Sequence, residues 1–191
     1  MPTAVFLVPS QYNDAKDFRG VADHCRRKYW GKKNSVVFEV QFKPHDEPTF
    51  APVSDIPAGF SASFWHSMAE AEQFILLCHC GVRDGPMLGP NGEHPWATVP
   101  YPTDSSGDGK ELTETAKHFW RRASWAIGSD GKFFLAGCDS GYTYGKLVAK
   151  LVSLKVYGFA EHIGTARIDV ADLYIGGYFF KNRTGKNVIK C

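Results

Sequence analysis

Five short apolar runs limit what this chain can fold into: TAVFLVP (3–9), SVVFEVQF (35–42), FILLCHC (74–80), KFFLAGC (132–138) and KVYGFA (155–160). Each has the length of a strand and is rich in β-branched and aromatic residues. Most lack the polar–apolar alternation of a half-solvated strand, as expected where both faces are buried. Helical periodicity fills the gaps. Asp14 opens a segment in which Phe18, Val21, Ala22, Cys25 and Tyr29 share one face. A short helix is expected over 62–72. Leu112, Ala116, Phe119, Trp120 and Ala123 mark another, and YGKLVAKLVSL (144–154) a further one. Strand–helix alternation of this kind predicts a three-layer α/β/α domain with a mostly parallel sheet.

The remaining stretches read as connections. Pro44, Pro48, Pro52 and Pro57 keep residues 43–60 out of regular structure, and the Gly- and Pro-rich stretch 81–110 allows at most a short hairpin. The tail, YIGGYFFKNRTGKNVIKC, predicts a C-terminal β-hairpin turning at Thr184-Gly185. With no internal repeat and no linker, residues 1–191 form one expected domain.

A net charge of +2 and a pI near 8.2 give no electrostatic reason to expect nucleic acid or a membrane surface as partner. The basic-aromatic RRKYWGKK (26–33) reads as a helix C-terminus, its cations matching the dipole and Gly31 stopping it. MPTAVFLVPS has no basic leader, and no apolar run spans a bilayer, so a cytoplasmic protein is expected. The five cysteines, an odd number without a regular framework, are expected as reduced thiols, with Cys191 frayed at the end of the chain. NRT (182–184) carries no weight as a glycosylation acceptor without an export signal.

Cys78-His79-Cys80 invites a metal reading, which strand geometry opposes. Alternate residues point to opposite faces, so Cys78 and Cys80 share one face and His79 takes the other. Cys25, His66 and His94 are not placed by any motif to complete a ligand set, and no metal or other cofactor is expected. His66, in a helix, and His94, in a loop, also rank behind His79 as bases because neither ends a strand.

His79 and Cys138 both end strands and both run into glycine-containing turns. Parallel sheets build their sites at such carboxyl ends. Cys138 precedes a helix, whose N-terminal dipole would lower its thiol pKa and favour a thiolate. A histidine on the neighbouring strand end would take the thiol proton and return it to a leaving group. Gly81 leaves room for substrate, Asp84 could hold a basic group, and Asp139 and Ser140 begin the turn after the cysteine.

In FILLCHCG and FFLAGCDSG, with His79 and Cys138 59 residues apart, the chain resembles the caspase-like cysteine peptidases, clan CD. A spacing of about 50 residues is noted for caspases. The resemblance spans residues 3–160 and implies a caspase-like, flavodoxin-like sheet. It implies Cys138 as nucleophile, His79 as general acid/base, and the backbone N–H groups of Cys80 and Cys138 as the oxyanion hole. A peptide or protein substrate follows, with Gly81, Asp84 and Asp139 contacting it. Cys80 stands where the family has glycine, and Gln-Ala-Cys-Arg-Gly is absent. Two rivals remain: a catalytically silent caspase-like binding module, and a flavodoxin-like binder of a nucleotide or flavin, for which VPSQYND lacks a glycine-rich phosphate loop.

Overall fold

The structure is a computed structural model and describes residues 3–9, 15–40, 62–81, 85–89, 94–99, 111–163, 167–177 and 187–191. Its strands are β1 (Ala4–Pro9), β2 (Ser35–Val40), β3 (Gln73–Leu77), β4 (His79–Gly81), β5 (Gly85–Met87), β6 (Thr98–Val99), β7 (Glu111–Leu112), β8 (Lys132–Ala136), β9 (Lys155–Phe159) and β10 (Val188–Lys190). Its α-helices are α1 (Ala15–Cys25), α2 (Ala62–Ala69), α3 (Glu114–Ile127), α4 (Thr143–Leu151) and α5 (Ile168–Ala171). A wider helical turn prolongs α1 through Arg26–Trp30, and another prolongs α5 through Asp172–Gly176.

Six strands form the central sheet in the order β10-β9-β8-β3-β1-β2, and every neighbouring pair is parallel except β10 with β9. This is the expected α/β architecture with a mostly parallel sheet. Side-chain alternation sorts the core into two layers. Val5, Leu7, Phe74, Leu76, Phe133, Leu135 and Val156 pack toward α2, α3 and α4. Ala4, Phe6, Val8, Ile75, Leu77, Phe134, Ala136 and Phe159 pack toward α1 and α5. The chain steps one way from β1 to β2 and the other way from β2 through β3, β8 and β9, and the usual preference for right-handed crossovers accounts for α1 on one face and α2, α3 and α4 on the other.

Local signals explain the element ends. Thr113 accepts a hydrogen bond from the Ala116 N–H at 3.2 Å and so caps α3. Gly31, at φ 77°, stops the turn after α1 as RRKYWGKK suggested, and its N–H reaches the Arg26 carbonyl at 2.7 Å. Arg26 and Arg27 both pair with Asp23.

Four expectations need correction. The strand expected over 74–80 leaves the sheet at Cys78, and His79–Gly81 turn into a small antiparallel ladder with Gly85–Met87. The tail's expected first strand is helical at Tyr174–Gly177, because Ile175 is drawn into the core beside α1. The last strand instead pairs antiparallel with β9, and the turn at Thr184-Gly185 lies outside the described residues. Residues 168–173, which had no expected element, are helical and run on into Tyr174–Gly177. Cys191 is not frayed: its N–H donates to the Val156 carbonyl at 2.9 Å and its Sγ meets the Gly141 carbonyl at 3.4 Å. Among the described residues no helix is long and apolar enough to cross a membrane.

Candidate active site

The strands that carry His79 and Cys138 are immediate neighbours. β3 and β8 run parallel, with Leu76 beside Leu135 and Leu77 beside Ala136. Two residues past the last pair on each strand come His79 and Cys138. Both strands have ended by then, and it is the side-chain contacts of the two residues that put them on the face of Leu77 and Ala136, the α1 side. The His79 ring meets Phe18 of α1 edge-on, with centroids 5.0 Å apart. The Cys138 Sγ donates to the carbonyl of Ile163, a member of the same apolar cluster, at 2.9 Å.

Cys78 and Cys80 take the other face. Cys78 is fully enclosed among α3 and α4 residues, and burial pushes its thiol pKa up. Burial also raises the Tyr144 phenol well above its ordinary value, with the nearby Cys80 and Cys78 adding to the shift. The three residues of Cys-His-Cys therefore do not converge. Cys25 is buried on the α1 side, where desolvation pushes its thiol up to about 12, helped by the charge of Asp172.

The two strand ends meet closely at Gly137. A Cβ there would lie 2.5 Å from the Cys80 Cβ, 2.9 Å from the Cys78 carbonyl oxygen and 3.3 Å from the Cys80 nitrogen. Only a residue without a side chain lets β8 end against the turn of β3. Asp139 follows Cys138 at φ 54°, the only non-glycine residue with positive φ among those described. An αL residue here costs strain and turns the chain sharply away from the sheet. Strain of this kind concentrates at functional sites.

Ser140 is more than the start of a turn. It is fully buried, donates through Oγ to the Leu135 carbonyl at 2.5 Å and accepts from the Phe159 N–H at 3.2 Å, so it ties β8 to β9 directly below the cysteine. On the other side, the Tyr144 hydroxyl donates to the Trp96 carbonyl at 2.7 Å and accepts from Trp120 Nε1 at 2.9 Å. Its ring closes on Gly85, where φ is 87° and a Cβ would fall 2.2 Å from the Tyr144 ring. Tyr144 thereby seats the β4–β5 ladder that carries His79.

Of the other named residues, Gly81 pairs with Gly85 in that ladder and is half-buried. Asp84 lies outside the described residues. His94 Nδ1 lies 2.9 Å from the Gly85 carbonyl, and His66 pairs with Glu70 on the surface of α2. Neither reaches the α1 face.

Cys138 departs from expectation in its electrostatics. It is only 6 % exposed, and desolvation raises its thiol pKa despite the Ile163 contact, with the Asp139 carboxylate adding to the rise. The expected helix dipole has little reach here. α4 begins at Thr143, and dipole effects fade within the first turn. Ile163 as a partner was invisible in the sequence, because a backbone acceptor carries no residue signature. Neither protein-family models nor curated protein sequences match this chain.

Proposed function

We propose that this protein is a caspase-like thiol hydrolase that cleaves peptide bonds through Cys138 and His79. The observation that carries the reading is the placement of the two residues on adjacent parallel strand ends and on one face of the sheet. In the reaction, His79 takes the Cys138 thiol proton as Sγ bonds to the scissile carbonyl carbon. The resulting oxyanion accepts from the backbone N–H groups of Cys138 and, following the family resemblance, Cys80. Collapse breaks the C–N bond, and the proton on His79 passes to the leaving amine. Water, deprotonated by His79, then attacks the thioester carbon, releasing a carboxylic acid and restoring the thiol. These residues need no metal or organic cofactor for that sequence.

The test is turnover of a broad peptide library by wild type, Cys138→Ala, His79→Ala and Cys80→Gly. Both dyad variants should lose turnover while remaining folded, with only a modest fall in unfolding midpoint from the lost Ile163 and Phe18 contacts. Cys80→Gly should retain or gain activity, because its side chain lies on the face away from His79 and only its backbone is used. Turnover surviving in Cys138→Ala would rule the reading out.

The burial and raised pKa of Cys138 favour a second reading, a catalytically silent member of the same fold that binds a partner. Limited iodoacetamide labelling with peptide mapping separates the two. A hydrolase should label at Cys138 ahead of the equally buried Cys25 and Cys78, and a silent module should label it no faster than those two.

A further inference from the structure

Two hydrogen bonds from the cysteine turn go to one short stretch of chain. Cys138 Sγ donates to the Ile163 carbonyl at 2.9 Å, and the Asp139 N–H donates to the Glu161 carbonyl at 3.0 Å. The Glu161 and Ile163 carbonyls, two residues apart, thus both reach the cysteine turn, as alternate carbonyls of one strand do toward another. The stretch is fixed at its start by the Ala160 N–H, which reaches the Asn187 carbonyl at 2.7 Å. Glu161 and His162 face solvent, whereas Ile163 sinks into the α1-side core at 5 % exposure. The contact therefore uses main-chain carbonyls and one apolar anchor, a set that any extended peptide also carries.

We propose that Ala160–Ile163 is an internal cover lying where the backbone of an extended peptide substrate would lie, so that the resting protein is autoinhibited until the segment is displaced. The proposal rests on Cys138 being the nucleophile. While the thiol hydrogen is engaged by Ile163 it is not shared with His79, and the buried sulfur is closed to a substrate carbonyl. Displacement releases Cys138 and the Asp139 N–H together. Thiol reactivity and Asp139 amide exchange are thus two readouts of one local opening.

Wild-type protein supplies the first measurement, so no variant has to fold. Under native conditions the Asp139 amide should exchange at least about a hundredfold faster than core amides such as Leu76 and Leu135. Exchange as slow as the core overturns the cover, because opening would then be global. In the second measurement, Ile163→Ala weakens the anchor without touching the dyad. Iodoacetamide labelling of Cys138 and exchange at Asp139 should rise together by about tenfold or more, and turnover of the peptide library should rise with them. Labelling of the buried Cys25 and Cys78 should stay unchanged. If all three cysteines accelerate in proportion, or Cys138 does not accelerate, the cover is overturned. If Cys138 opens as stated and no peptide is cleaved, the hydrolase reading fails and the inhibitory role with it, while the opening itself stands.

Discussion

Gly137→Ala tests whether the two strand ends that carry His79 and Cys138 are held at their present spacing by the absence of one methyl group. The added Cβ would sit 2.5 Å from the Cys80 Cβ and 2.9 Å from the Cys78 carbonyl oxygen. Carbon atoms in contact settle at about 3.5–4.0 Å, so the strand ends must part by about 1 Å. One obstacle is backbone, which a rotamer change cannot relieve. Overpacking of this kind costs about 1–3 kcal/mol, whereas a Gly→Ala change with room to spare stabilises by about 0.4–1 kcal/mol through the unfolded chain. The φ of Gly137 is not positive, so the second effect operates too. The expected net result is a loss of about 1–2 kcal/mol. Urea unfolding should show it as a lower midpoint at unchanged slope. Turnover should fall further than stability requires, since a misplacement of about 1 Å near the reacting atoms can cost about a hundredfold. A variant as stable as wild type, or more stable, would refute the close approach of Gly137 to the Cys78–Cys80 turn.

Tyr144→Phe removes the hydroxyl that donates to the Trp96 carbonyl and accepts from Trp120 Nε1, leaving the buried indole N–H without this acceptor. A buried donor so stranded costs about 1–3 kcal/mol, and unfolding free energy measured by urea denaturation should drop by about that much. Asp172→Asn should lower the thermal midpoint at pH 7 by loosening the Asp172–Gly176 turn from α1, where His24 Nε2 at 3.0 Å, the Tyr29 hydroxyl at 3.2 Å and Lys28 meet the carboxylate. Burial opposes ionisation of Asp172, but the hydrogen bonds and charges of Lys28 and His24 outweigh it, and its pKa falls below the ordinary value. A depressed carboxylate contributes stability above its unfolded pKa and loses it as pH falls through the folded one. The difference between variant and wild type in thermal melts should therefore shrink below about pH 4 and vanish in stronger acid.

Much of the architecture was written locally. The apolar runs at 3–9, 132–138 and 155–160 need only strand length and burial on both faces to be recognised, and Phe18, Val21, Ala22 and Cys25 mark the buried face of α1 by spacing alone. The same alternation foretold that His79 and its flanking cysteines face opposite ways. Even the candidate pair was legible, because a reactive side chain followed by a glycine-containing turn at a strand end is a local pattern. Tertiary structure alone decided the rest. That β3 lies beside β8 depends on which strands pair, a long-range choice between surfaces of similar hydrophobicity. The state of the Cys138 thiol depends on Ile163, 25 residues away, arriving with a backbone carbonyl that no side chain announces. Residues 174–177 look like a strand by composition, yet they are helical because Ile175 finds its burial against the α1-side core. Propensity is a difference of a few tenths of a kcal/mol per residue, and burying one large apolar side chain is worth about 1.5–3 kcal/mol, so packing prevails.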